Sequence, residues 1–307
     1  MRFCEFTEKI KTELELLCGE TYQIQLEEIE KNNGLKMVGV LCKKEGNAYG
    51  SVIYLESYYL KYCSGKISLP DIILEIKELI GDQPGIESLR RKLLDFQSVK
   101  ERLRFRLVNR EMNQARLEQI PYIEYLDLAV VFYIEIEDTE NGCFSIMVRK
   151  VLAEKWGVTE KDLYAAALEN MQRQFPPVIE LLDDIMFRML DEMLEDNESK
   201  MEELCIPAME VPLHVVTNKR GLWGAGTILY PGVLKELADK LETDLFLIPS
   251  SVHEILAWQY KEDADVVELK GMVEYVNQHD VKEDDVLSNN LYRYRRDKDC
   301  VELLMEN

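Results

Sequence analysis

The stretch LFLIPSSVHEIL, Leu245 to Leu256, places Ser250, Ser251, His253 and Glu254 within five residues. A serine hydrolase needs a histidine within hydrogen-bond reach of the serine and an acid on the far ring nitrogen. If the stretch runs on as a strand, side chains two apart share a face. Ser251 and His253 then project together and form the candidate catalytic pair, while Ser250 and Glu254 project oppositely. No G-x-S-x-G turn surrounds the serines to expose a strained nucleophile. The competing reading makes Ser250, Ser251, His253 and Glu254 a polar close to a core strand, where they are binding residues or purely structural ones.

The segment NKRGLWGAG, Asn218 to Gly226, is glycine-rich and carries two cations. Phosphate loops lead into a helix whose first amides hold the anion. Here the next residues, TILYPG, read as another strand, and the G-x-x-G-x-G spacing matches neither the dinucleotide fingerprint nor the P-loop. The expectation is a hairpin turn over which Trp223 folds, with Asn218, Lys219 and Arg220 as binding residues at its start.

Two charge anomalies stand out. In RLRFRLVNR, Arg102, Arg104 and Arg106 alternate with Leu103, Phe105 and Leu107, so a strand has one cationic and one apolar face. The three arginines are anion-binding candidates; the alternative is internal balance by carboxylates elsewhere. Between Arg90 and Arg116 nine basic residues stand against three acidic ones, whereas from Val178 to Cys205 ten acidic residues stand against two basic ones. In that acidic segment Val178, Leu182, Ile185, Met189 and Met193 recur at helical spacing, widened by Leu181, Met186, Leu190 and Leu194. This predicts a Met-rich helix over about 177–205 that either packs as core or serves as a docking helix or lid. The basic strand and the acidic helix are expected to face one another.

The formal charge of −21 disfavours nucleic acid, which is bound by neutralising phosphates, and anionic membranes. No apolar run approaches the roughly 20 residues of a bilayer span. Seven cysteines are scattered without a C-x-x-C pair, and His214, His253 and His279 lie far apart. Neither a metal site nor a cofactor is expected from that pattern. Reduced thiols and the absence of a secretory leader point to the cytoplasm.

Around the candidate residues the periodicities predict an α+β fold of antiparallel hairpins packed with helices. Phe3, Phe6, Ile10, Leu14 and Leu17 mark an N-terminal helix, Asn33-Gly34 a hairpin turn, and Ser68 and Pro70 a helix start ending near Gly81. GDQPGIES then breaks the pattern, dividing the chain into a small unit, 1–97, and a larger one, 98–307. Within the latter, LDLAVVFYIEIEDTENGCFSIMVRK reads as a hairpin, Thr159 as a helix N-cap, and NLYRYRRDKDCVELLM as a terminal hairpin.

The segments FRLVNREMNQARLEQIPYIEYLDLAVVFYI, KWGVTEKDLYAAALENM, HVVTNKRGLWGAGTILYPGVLKELADKLETDLFLIPSSVHEIL and VLSNNLYRYRRDK together resemble a bacterial family of unknown function associated with anaerobic gut bacteria. Their order is also similar to that of the broader, uncharacterised YtpQ family, from which the Met-rich helix departs. The resemblance implies no activity. The leading expectation is a non-enzymatic binding or protein-interaction module with an unidentified protein or small ligand as partner, and the alternative is a hydrolase using Ser251 and His253.

Overall fold

The computed structural model describes residues 1–45, 51–81, 92–139, 142–195 and 212–304. Its helices and antiparallel sheets make an α+β fold, and its contacts divide the chain into Met1–Leu94 and Asp95–Asn307.

In Met1–Leu94, helix α1 (Phe3–Cys18) buries Phe6, Ile10 and Leu14, one face at four-residue spacing. Strands β1 (Tyr22–Glu30), β2 (Lys36–Lys44) and β3 (Ser51–Tyr54) form an antiparallel meander. The β1–β2 turn sets Asn33 at φ 58° and Gly34 at φ 73°, the left-handed region that this dipeptide enters at least cost. Helices α2 (Glu56–Cys63) and α3 (Leu69–Gly81) close the unit, and Ile72, Ile73, Ile76 and Ile80 complete its core. Ser68 hydrogen-bonds Asp71 at the start of α3, as an N-cap does. Most of the Gly-Pro break, in 82–91, lies outside the described residues.

In Asp95–Asn307 the long strand β6 (Leu128–Thr139) is central to a four-stranded sheet. Strand β4 (Leu103–Asn109) lies along one side of it, while β5 (Tyr122–Tyr125) and β7 (Gly142–Met147) share the other. After helix α4 (Lys150–Trp156), helix α5 (Glu160–Gln174) starts at Thr159, whose hydroxyl accepts the Asp162 amide while the Asp162 carboxylate accepts the Thr159 amide at 2.8 Å. Helix α5 buries Leu163, Ala167 and Met171, and Tyr164 meets the Phe105 ring at 5.6 Å, covering the apolar side of β4. The opposite side is covered as well: Arg104 is only 3% exposed, so the strand has no free cationic face.

The second sheet of this unit is six-stranded and antiparallel, in the order β13 (Cys300–Leu303), β12 (Tyr292–Arg295), β10 (Leu245–Ile248), β11 (Ile255–Gln259), β9 (His214–Asn218), β8 (Pro177–Leu181). Strand β8 corrects the sequence reading. Val178 and Leu181 belong to this edge strand, and helix α6 (Leu182–Glu195) begins only after it; residues 196–211 lie outside the described ones. An edge strand tolerates Pro177, and Val-Ile-Glu-Leu satisfies a two-residue as well as a helical period. Helices α7 (Val233–Leu241) and α8 (Val266–His279) lie in the connections. A second correction concerns TILYPG: Gly224–Leu229 forms 3-10 turns, not a strand.

A half-buried carboxylate orders the approach to β12. Asp127, in the β5–β6 turn, accepts bonds from Ser288 Oγ (2.5 Å), Asn290 Nδ2 (2.9 Å) and Tyr292 Oη (2.6 Å). Burial first, and then that carboxylate, raise the Tyr292 pKa and keep the phenol a donor.

Candidate functional site

Strand β9 ends at Asn218, and this buried side chain shapes the loop beyond it. Its Oδ1 accepts the Arg220 amide at 2.9 Å, and its Nδ2 donates to the Leu222 carbonyl at 3.1 Å. The loop then reaches Trp223 at φ 52°, a left-handed conformation that is uncommon for a bulky residue. Gly224 comes next because nothing larger fits: a Cβ there would stand 2.5 Å from the His253 carbonyl oxygen and 2.9 Å from the Asn218 nitrogen. At Gly226 a Cβ would come within 2.8 Å of the Phe105 ring. The Trp223 ring meets Tyr133 edge-on at 4.7 Å, with the Arg106 guanidinium 4.9 Å from the Trp223 ring centre. The loop is thus pinned to β4 and β6.

Strand β10 stops at Ile248, so Pro249–Glu254 is irregular rather than a continuing strand, and the expected alternation of side chains fails. Ser251 Oγ donates to Glu254 Oε1 at 2.7 Å and accepts the His253 backbone N–H at 3.0 Å. Glu254 therefore serves Ser251 instead of projecting away from it. The His253 ring engages other groups: Nδ1 accepts the Trp223 backbone N–H at 3.1 Å, and Nε2 lies 3.2 Å from Asp285 Oδ1. With Nδ1 accepting, the network assigns the ring proton to Nε2, which donates to Asp285. A general base must offer its lone pair to the nucleophile's proton. In His253 that lone pair faces an amide, so histidine and serine have separate partners and no Ser-His-acid relay is assembled.

The remaining candidates disperse. Ser250 donates its amide to Ile248, and Lys219 is exposed with its amide on the Pro176 carbonyl. Arg220 pairs with Glu135 and lies over the Phe175 ring at 5.4 Å. Arg104 reaches the same carboxylate at 3.0 Å, and also Gln174 Oε1 at 2.5 Å and the carbonyls of Glu101 and Leu103. Burial lowers the Arg104 pKa and Glu135 opposes that shift. Arg102 donates to the Ile136 carbonyl at 2.6 Å. The compensation for Arg104 among the described residues thus comes from Glu135 on β6, while Arg188 of helix α6 pairs with Glu180 of β8 at 2.8 Å; in the acidic segment expected to face the arginines, 192–205 have side chains outside the described residues.

Sequence reasoning missed Glu135, Asp285 and Asp127. Each lies in an ordinary acidic context, and the partners named above are at least 31 residues away along the chain. No local pattern marks such pairs. Among the described residues no group of three or more His, Cys, Asp or Glu is placed to hold a metal ion, and no helix is long and apolar enough to cross a membrane. A shallow cleft bordered by Arg106, Asn113, Arg116, Leu117, Val131 and Met147 has too little enclosed space to hold a small molecule.

Residues 3–296 match the model of a family of unknown function, DUF5688. No curated protein and no solved structure matches the chain.

Proposed function

The chain belongs to the DUF5688 family, and we propose that it is a non-enzymatic protein-interaction module. The observation that carries this reading is helix α6. Among its described side chains Leu182, Ile185, Met186 and Leu190 are only partly buried, and Phe187 and Met189 are 51% and 60% exposed. Burying one such side chain fully in a partner contributes about 1.5–3 kcal/mol. Methionine adapts to partners of irregular shape. The acidic residues Asp183, Asp184 and Asp191 beside these apolar positions favour a partner with a basic surface, since charge steers encounter while apolar burial supplies affinity. The separate partners of Ser251 and His253 weigh against the hydrolase alternative.

The finer parts of this reading rest on sequence: a cytoplasmic bacterial protein, distantly similar to YtpQ, with domains at 1–97 and 98–307. The test is a photo-crosslinking residue placed at 187 or 189 and, as a control, at exposed Lys261. Support requires a discrete adduct from 187 or 189 only, and a purified partner whose affinity falls at least tenfold in Phe187→Ser/Met189→Ser. Equal adducts at all three positions, or undiminished affinity in the double variant, would contradict the proposal.

A further inference from the structure

His253 satisfies both ring partners only while it carries a single ring proton. Nε2–H donates to Asp285, and the Nδ1 lone pair accepts the Trp223 amide. A second proton must land on Nδ1, where it turns an acceptor into a donor aimed at another donor. The same proton gives the ring a charge that strengthens its pairing with Asp285. One contact gains as the other is lost. The lost contact is the one that holds Trp223 in its left-handed conformation, at the point where its ring packs on Tyr133 and Arg106.

We propose that His253 is a proton-operated latch on the Trp223 loop: protonation of Nδ1 releases the Trp223 amide and loosens its ring from Tyr133 and Arg106. The backbone of His253 is anchored independently, because its carbonyl accepts the Thr217 hydroxyl at 2.8 Å and its amide bonds Ser251 Oγ. Movement is therefore confined to the imidazole and the 219–223 loop. The charged groups around the ring act in both directions. Asp285 favours the charged imidazole. Glu254 sits on the same loop but is bonded to Ser251. Arg106, beyond the Trp223 ring, opposes protonation, and Arg220 in the Trp223 loop is turned to Glu135 while Lys219 is exposed to solvent. Lys282, Glu283 and Asp284 precede Asp285, whose amide bonds the Lys282 carbonyl at 2.8 Å.

The test uses the full chain labelled with ¹⁵N, following the Trp223 backbone amide and the His253 ring protons from pH 8 to 5. The expected result is a Trp223 transition with the same midpoint as His253. In Asp285→Asn that midpoint moves down by about one pH unit or more, because the supporting carboxylate is gone. In His253→Gln the Trp223 transition disappears. A Trp223 amide that stays flat while His253 titrates would overturn the proposal, as would a transition that persists in His253→Gln. Should His253→Gln fail to fold, the wild type and Asp285→Asn decide: an unmoved midpoint overturns it.

Discussion

Replacing Glu135 by Gln removes a carboxylate that Arg104 and Arg220 share and keeps its shape. The side chains of Arg104, Glu135 and Arg220 are 3%, 12% and 15% exposed, so solvent screens little of the change. Removing one partner of a buried ion pair costs about 3–5 kcal/mol, because the remaining charge has lost its solvation without compensation. Here two guanidiniums remain beside one neutral amide, and both lie over Phe175, at 5.3 and 5.4 Å. A loss of about 4 kcal/mol is therefore expected. Arg220→Met, which leaves the Arg104–Glu135 pair intact, should cost about 1.5–3 kcal/mol, the range for a hydrogen bond to a charged group. The exposed pair Arg188–Glu180 provides the control: Arg188→Met should cost no more than about 1 kcal/mol. Urea unfolding followed by tryptophan fluorescence reports on the right unit, because Trp156, Trp223 and Trp258 all lie in Asp95–Asn307. A Glu135→Gln protein within about 1 kcal/mol of the wild type would refute the account of this triad.

Three further outcomes are expected. Asp127→Ala should lower stability by about 3 kcal/mol or more in the same unfolding assay, since three donors around one half-buried carboxylate lose a charged acceptor; a loss below about 1 kcal/mol would mean that water replaces it. Gly224→Ala forces a Cβ against the His253 carbonyl, and should cost about 1–3 kcal/mol by calorimetry while Gly271→Ala, where space is open, costs nothing. Burial, assisted by Lys240, depresses the pKa of His214, so the unfolded chain binds that proton more readily. Stability should thus decline as pH falls from the ordinary histidine range, about 6.5, toward the lowered value, and His214→Gln should flatten that part of the profile; an unchanged slope would contradict the assignment.

Where structure depends on local chemistry, the sequence is a sufficient guide. The Asn33-Gly34 turn, the Ser68 and Thr159 caps and the terminal β12–β13 hairpin depend on neighbours within a few residues. Strand β8 was not legible because its four apolar or acidic residues fit two periods, and only its pairing with β9 selects one. Arg104 and Arg106 alternate along β4 while Arg102 lies in the 3-10 turn before it, and the meaning of the two strand arginines depends on Glu135 across the sheet and on the loop that closes over Arg106. The same applies to the candidate site. Ser251, His253 and Glu254 are neighbours in space as in sequence, but the end of β10 at Ile248 turns their directions, and Trp223 and Asp285 claim the imidazole from distant parts of the chain. Asn218 shows what a residue type can still say: a buried asparagine next to glycines organises a loop through its own backbone.

Covalent labelling at Ser251 decides between the proposed binding role and a Ser251–His253 catalytic pair. The native protein is exposed to a serine-directed fluorophosphonate, and occupancy of the Ser251 peptide is measured by mass spectrometry beside His253→Ala. No labelling of Ser251 above background is expected in either protein, since Glu254 holds the hydroxyl and Trp223 holds the imidazole lone pair. Near-stoichiometric modification of Ser251 in the wild type, abolished by His253→Ala, would contradict the proposed binding role.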